Sequence, residues 1–449
     1  MRVQPDDRPL SESAIRSVCG DVELPRLGLL EQVVDTQPIV GPAVDAAVRT
    51  AIDALALQRV PEGGRIALAV GSRGIGQIAR IVAATVGRLS QRGFEPVIIP
   101  AMGSHGGATA EGQESLLAGL GITEDAMGCP IMATMATVDV PHAGSEGEAT
   151  AVDAVAAAAD AIVCINRVKP HTSFSGPLES GLAKMLVVGL GNQQGATEFH
   201  QQAQRGDFTR HLRETARTLL ASLPVIGGIA ILEDQYDATA QITGVGPDQL
   251  LEREQRLLAR AYELLPQLPF DALDVLVVDQ MGKDISGTGM DPNVVGRHPT
   301  LHAGAGMGPD IGRIFTRQLS VGAHGNAAGV GLADVIHEDV RAAMDPAETT
   351  VNMLTSGNLE YARIPITVPT DRAGIAACIA TAGGRPPTAV RLCRVTNTSR
   401  LERLYASPAL CAEAARREDL RVLRAPRPMR FDAGQLTDPP PDAAGAGHR

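Results

Sequence analysis

Ala161-Ile162-Val163-Cys164-Ile165-Asn166-Arg167-Val168-Lys169-Pro170-His171-Thr172-Ser173-Phe174-Ser175-Gly176-Pro177-Leu178-Glu179-Ser180-Gly181-Leu182-Ala183-Lys184-Met185-Leu186 is the stretch on which the reading of the whole chain turns. Its first five residues are an apolar, β-branched run of strand length, which predicts a buried strand. Two cations, a proline, a histidine and several small hydroxyl or glycine residues follow, a composition suited to a loop that meets a ligand. Gly176-Pro177 predicts a helix from near Leu178, with Lys184 on its second turn. Beyond it, Gly189-Leu190-Gly191-Asn192-Gln193-Gln194-Gly195 reads as a second flexible loop leading to His200. A lone lysine on a helix is more often solvated than reactive, and a lone loop histidine is usually a surface residue. The clustering of His171, Lys184 and His200, and a similar histidine-bearing loop earlier in the chain, favour a functional reading.

That earlier loop belongs to a clear unit. Residues 65–70 read as a strand, 71–76 as a loop, 77–92 as an amphipathic helix and 94–100 as a second strand, a βαβ unit that requires a parallel sheet. Ala101-Met102-Gly103-Ser104-His105-Gly106-Gly107-Ala108-Thr109 follows, with Thr109 placed to cap the next helix. His105 and His171 thus each leave the carboxyl end of a strand, the edge at which open α/β sheets bind ligands. Residues 225–232 predict another buried strand and 247–265 a long charged helix. Pro266 and Pro269 mark a boundary, beyond which a strand over 273–278 runs into the polar, glycine-rich loop 279–293. The fold class expected is α/β: two α/β domains with mostly parallel sheets and an active-site cleft between them. Residues 1–265 form the N-terminal domain and 270–400 the C-terminal one. Residues 401–424 are expected to be a helix packing back on the N-terminal domain. Residues 425–449, rich in Pro, Gly, Ala and Asp, are expected to be a disordered tail.

Composition narrows the function classes. Aromatic residues make up 2% of the chain and Trp is absent, so the cores must be Ala, Val, Leu and Ile. The lack of stacking platforms and of a basic cluster, with a net charge of -11, argues against nucleic acid. Six scattered cysteines form no C-x-x-C pair, which suits a reducing compartment rather than a thiolate zinc site. The first residues lack the apolar core of a signal peptide. No apolar run approaches the about 18 residues needed to span a membrane. A cytoplasmic location is expected. Residues 189–195 match a dinucleotide fingerprint only superficially, because three residues rather than two precede the last glycine and a helix rather than a strand comes before. No P-loop and no G-x-S-x-G elbow occurs. His298 and His302 are four apart, but Pro299 breaks the helix that would align them as a zinc pair.

Taken together, residues 103–109 with Gly112-Gln113, then 167–172, then 180–185, then His200 resemble, in order and spacing, the lactate racemase family, whose members use a nickel-pincer nucleotide. The resemblance covers roughly residues 20–420. It implies a racemase or epimerase of a 2-hydroxy acid, an isomerase. Its cofactor would be nickel pyridinium-3-thioamide-5-thiocarboxylic acid mononucleotide, tethered to Lys184, with His200 as the protein's ligand to nickel and Ser72 and Arg73 also at the cofactor. His105 and His171 match the two acid/base residues on opposite faces of the substrate. Gln280 and Lys283 match residues that hold the substrate carboxylate, with Arg73 helping to orient it. The N-terminal domain would then carry the cofactor and acid/base residues and the C-terminal domain a substrate loop. The partners implied are a small 2-hydroxy acid and the cofactor-synthesis enzymes, with no nucleic acid and no membrane.

The chemistry fits that implication. A C–H beside a free carboxylate is very weakly acidic, so hydride transfer to an electrophilic cofactor avoids a carbanion. Two histidines suit a reaction that must serve both enantiomers, a cation suits a carboxylate, and one imidazole suits nickel. Where the family's first loop has an acidic residue and a proline, this chain has Val70 and Gly74. Asp279 precedes Gln280 where the family has a tyrosine. These departures point from lactate to a bulkier or more polar 2-hydroxy acid, such as a sugar acid or a dicarboxylate. Two alternatives stay open: another, dehydrogenase-like hydride-transfer enzyme using the same cofactor, and a non-catalytic ligand-binding homologue.

Overall fold

A computed structural model describes residues 11–34, 36–71, 74–142, 149–172, 174–203, 207–298 and 308–444. Its strands, in chain order, are β1 (Leu27–Gln32), β2 (Arg65–Val70), β3 (Glu95–Pro100), β4 (Thr137–Pro141), β5 (Ala149–Asp153), β6 (Ala161–Arg167), β7 (Val225–Glu233), β8 (Thr239–Val245), β9 (Ala272–Met281), β10 (Asp310–Leu319), β11 (Val335–His337), β12 (Ile366–Val368), β13 (Leu392–Val395), β14 (Arg403–Ala406), β15 (Leu420–Arg427), β16 (Phe431–Asp432) and β17 (Gln435–Leu436). The chain forms two α/β units, one from Thr36–Leu265 and one from Met1–Asp35 with Pro266–Arg449.

The Thr36–Leu265 unit is built on a five-stranded sheet of order β3-β2-β6-β7-β8, parallel except for β8. Its central strands are apolar on both faces because both faces are covered. Ile66, Leu68 and Val70 of β2 pack into one core, with Val82, Val86 and Leu89 of the helix Ile78–Gln91. Ala67 and Ala69 pack into the other, with Leu182, Leu186, Leu212 and Leu258. Alanine on that face lets the segment around Lys184 lie close to the sheet. β4 and β5 form a separate antiparallel pair.

The second unit holds an eight-stranded sheet of order β12-β11-β10-β9-β13-β14-β1-β15. The strands from β12 to β13 are parallel, and β14, β1 and β15 add antiparallel. β9 sends Leu276 and Val278 into one core and Val275 and Val277 into the other.

Three sequence expectations are corrected here. Residues 27–32 do not belong with the rest of 1–265: β1 is a strand of the second unit, between β14 and β15, with Leu27, Leu29 and Leu30 buried. Its partners lie nearly 400 positions away (Glu31 opposite Arg403 and Arg421), a pairing no local pattern encodes. Residues 401–424 are not one helix packing on the N-terminal domain. They are β14, a short helix Pro408–Ala414 and the start of β15, all in the second unit. Pro408 opens that helix and Leu404, Tyr405 and Ala406 before it are all buried, so the pattern of 402–417 mixes two periods. Finally, the expected tail is ordered from 425 to Ala444, while residues 445–449 lie outside the described residues. Buried arginines hold it: Arg317 Nη2 donates to the Leu436 carbonyl at 3.2 Å and Arg394 Nη2 to the Asp438 carbonyl at 2.9 Å. Asp438 in turn pairs with Arg427 and Arg430, and Asp442 with Arg400. Composition misses this because the order comes from polar anchoring, not from apolar burial.

Candidate functional site

The loops that leave β2, β3 and β6 at their carboxyl ends all pack around residues 181–200 of the Thr36–Leu265 unit. After β2, Gly71 abuts Met185: a Cβ there would lie 3.2 Å from Met185 Cε. After β3, the Gly103 amide donates to the Gly189 carbonyl at 3.0 Å, and buried Gln113 Nε2 donates to the Gly103 carbonyl at 3.0 Å. Gly106 (φ +67°) touches the backbone of Gly112, so the loop lies flat on the helix Ala110–Gly119, and Thr109 caps that helix through Gly112 N. This leaves His105 exposed on a braced loop. After β6, Asn166 Nδ2 holds the Gly181 carbonyl at 3.0 Å, and Lys169 and Ser180 exchange backbone hydrogen bonds.

The helix expected from Leu178 starts later and is short. Leu182–Lys184 is a single α-turn that passes into a π-turn, Met185–Gly189, in which the Leu190 amide reaches back five residues to Met185. π-Turns of this kind recur at functional sites. Residues 192–195, expected as loop, are the first turn of the helix Asn192–Ala203, whose last turn carries His200. Asn192 accepts the left-handed conformation (φ 50°) that this junction needs and is tied to Asp153 and to the Thr134 carbonyl.

Three carboxylates brace these loops. Glu179, buried, accepts from the His171 amide at 2.5 Å, the Gly176 amide at 3.0 Å and Tyr262 Oη at 2.9 Å. Burial raises its pKa, while these bonds and the Lys184 charge lower it, and burial prevails. Glu233, buried at the end of β7, binds the Gly76 amide and the Arg167 guanidinium, fixing the far end of the first loop. Glu254 accepts from the Ala183 amide at 2.8 Å, directly before Lys184. It presses so close to Gly181 that a Cβ there would lie 2.3 Å from its Oε1. A charged residue on the apolar stripe Leu250, Leu251, Leu257, Leu258, Ala261 is a signal that sequence reading can use, because such a position is normally apolar.

Burial pushes the Glu254 carboxyl up to about 7 from an ordinary value of 4.5. The folded state therefore binds its proton more tightly than the unfolded state does. The stability this confers is complete below about 4.5 and is lost as pH rises through about 7. The span is worth about 3 kcal/mol. Glu254→Gln does not titrate, so its urea midpoint should change less between pH 5 and pH 8 than that of the wild type. Parallel pH profiles for the two proteins would contradict the assignment.

In a chain this poor in aromatics, three of the seven phenylalanines gather at this place. The His171 ring stacks on Phe174 (centroids 4.1 Å apart, planes at 25°), and Phe174 packs on Phe208 at 4.0 Å. Lys184 Nζ lies over the Phe174 ring, 5.4 Å from its centroid. His200 stands 6.1 Å from Phe208, and Phe199 stacks on His211 at 4.9 Å. Lys184 and His171 are half-buried. His200 is exposed to solvent yet hemmed in by protein. Desolvation, and then the Lys184 charge, lower its basicity, so its ring is neutral at pH 7. Phe174 stood in plain view in the sequence without a role; Phe199, Phe208 and His211 carry no local signal.

The other candidate residues fall elsewhere. Ser72 and Arg73 lie outside the described residues. Gln280 and Lys283 belong to the second unit: Gln280 is the last residue but one of β9, its amide bound to the Thr396 carbonyl at 2.9 Å, and Lys283 is exposed on the turn that follows. Asp279 points to the opposite face of β9 from Gln280, as alternation along a strand requires, and is a buried partner of Arg317 and Arg394. No described helix is long and apolar enough to cross a membrane.

No known family model matches the sequence, and no curated protein is detectably similar to it. Among solved structures, the chain is similar to a structural-genomics target from Thermotoga maritima, with a TM-score of 0.44 and 12% identity over 78% of this chain and 84% of that one. It is also similar to the lactate racemase apoprotein from Thermoanaerobacterium thermosaccharolyticum, with a TM-score of 0.43 and 11% identity over 83% of this chain and 84% of that one. Neither likeness assigns an activity.

Proposed function

We propose that the chain is a racemase or epimerase of a 2-hydroxy acid that works with a lysine-tethered nickel-pincer nucleotide. The observation that carries this reading is the gathering of Lys184, His171 and His200 around one aromatic cluster, within the motif set that resembles the lactate racemase family.

The residues fit such a group. Lys184 presents a half-buried amine on a braced turn, suited to an amide or thioamide tether. His200 offers a neutral, solvent-accessible imidazole, the form in which histidine ligates a metal. Among the described residues no three His, Cys, Asp or Glu side chains cluster so as to hold a metal ion alone. A metal at His200 would therefore bring ligands of its own, which is how a pincer cofactor carries nickel. When bound, the group supplies a hydride acceptor for the substrate C2. His171, its ring set by Phe174 and its backbone amide by Glu179, takes and returns the hydroxyl proton on one side, and His105 serves the other. On the family resemblance, Gln280 and Lys283 are assigned to the substrate carboxylate, Arg73 to orienting the substrate, and Ser72 and Arg73 to the cofactor. A bulkier or more polar acid than lactate is the substrate class, and the cofactor-synthesis enzymes are the expected partners in the cytoplasm.

The test is production of the full chain alongside cofactor-synthesis enzymes, followed by intact-mass and nickel analysis. A panel of 2-hydroxy acids is then scored by chiral chromatography. The expected result is a mononucleotide-sized mass on Lys184, about one nickel per chain, and inversion at C2 without net oxidation. An unmodified lysine and no nickel, in a system that loads a known lactate racemase, would overturn the reading. Net formation of a 2-oxo acid would favour the dehydrogenase-like alternative.

A further inference from the structure

We propose that the second unit binds a small tetrahedral oxyanion, of the inorganic phosphate type, between Arg394, Tyr405 and Arg424. These residues form one row. Arg394 of β13 lies opposite Tyr405 of β14, Tyr405 opposite Leu29 of β1, and Leu29 opposite Arg424 of β15. Laterally paired residues project from the same face of a sheet. The two guanidinium carbons lie 5.3 and 5.4 Å from the centroid of the Tyr405 ring. Stacking on a ring orients a guanidinium while leaving its N–H edges free for an anion.

Part of those edges lacks acceptors. Arg394 is 1% exposed and Tyr405 3%. Arg394 gives Nε to Asp279 and Nη2 to the Asp438 carbonyl, but its Nη1 has no partner. Tyr405 Oη and the Nε and Nη2 of Arg424 are likewise buried without partners. Four donor atoms from three side chains thus end in the interior with nothing to receive them, and native proteins rarely leave such groups unsatisfied. Asp279 Oδ2 is the one carboxylate oxygen of this network without a partner. It cannot serve four donors, and its other oxygen already takes both Arg317 and Arg394.

The charge count points the same way. On this face the carboxylates of Asp279, Asp371 and Glu31 are already engaged by other arginines, Asp279 by Arg317 and Arg394, Asp371 by Arg317 and Glu31 by Arg403 and Arg421, which leaves Arg424 without an ion pair among the described residues. The nearby Asp438 is already engaged by Arg427 and Arg430. An excess buried cation calls for an anion. Donors carried by three different strands on one face are not coplanar, which suits a tetrahedral oxyanion better than a planar carboxylate. Arg424, half-buried on the edge strand β15, gives the route from solvent. None of these residues belongs to the site proposed above, and the inference does not rest on it.

The test is equilibrium binding of radiolabelled inorganic phosphate to the full chain, in chloride buffer of fixed ionic strength. The expected result is saturable binding of one phosphate per chain, weakened tenfold or more by Arg424→Gln and, separately, by Tyr405→Phe, which keeps the ring. Arg421→Gln, on the same strand but exposed, should leave it unchanged. Circular dichroism checks that each variant is folded. Absence of saturable binding would mean that water satisfies these donors and would overturn the proposal. So would binding indifferent to both variants, or displacement by acetate at equal concentration.

Discussion

Lys184→Ala is expected to abolish the mononucleotide mass addition and to reduce racemisation to the uncatalysed level, a loss on the order of 10⁶-fold or more. The size follows from the role proposed for the lysine. If the group that accepts the hydride is tethered there, losing the tether removes the chemistry rather than one contribution to it. His171→Ala should behave differently. It keeps Lys184 and His200, so the mass addition should persist while turnover falls by roughly 10²–10⁴-fold, the usual worth of one acid/base residue. Both variants should fold, because Lys184 and His171 are only half-buried and lie outside the apolar cores. A folded Lys184→Ala protein that racemises its substrate at the wild-type rate would end the tethered-cofactor account. A His171→Ala protein that loses the adduct as well would move His171 from proton transfer to cofactor binding.

Asp279→Ala is expected to destabilise the second unit by about 3–5 kcal/mol. Asp279 is 2% exposed, and its Oδ1 accepts from Arg317 Nη1 and Arg394 Nε, each at 2.8 Å. Arg317 keeps a two-pronged contact to Asp371 after the substitution, but Arg394 loses its carboxylate altogether. A guanidinium left in the interior without a counter-charge accounts for the size of the effect. The same two arginines bind the carbonyls of Leu436 and Asp438, so the segment 435–444 should loosen as well, giving earlier proteolysis there. The exposed pair Arg80–Asp45 is the control: Asp45→Ala should move the urea midpoint far less than Asp279→Ala does, because water screens that pair. Urea unfolding with an unchanged slope measures both. A shift for Asp279→Ala no larger than the control's would show that the network contributes no net stability.

The residues that support the functional reading were visible in the sequence because each sits in a short block whose local pattern is enough. An apolar strand, a glycine-rich turn and a capped helix define where His105 and His171 leave the sheet; β2 and β6 begin where that pattern begins, and β3 one residue after it. The α/β class followed from the same βαβ rhythm. Local pattern failed where backbone geometry was set by a distant partner. Lys184 lies on a turn that starts at Leu182 rather than Leu178, because Glu254 and Asn166 hold the backbone at Gly181–Ala183. The aromatic cluster draws Phe174, Phe199 and Phe208 from three segments that share no spacing.

The sequence by itself determined the class of fold and the loops at the strand ends from which the proposed site residues project, because strand and helix periods and turn residues act over a few positions. Only the tertiary structure decided that β1 joins β14 and β15, that Asp279 is a core ion-pair partner facing away from Gln280, and that the Pro- and Gly-rich segment after Ala425 is held in place. Those outcomes depend on antiparallel register set across nearly 400 residues and on buried charges finding each other up to 115 residues apart. Neither leaves a periodic trace in the chain.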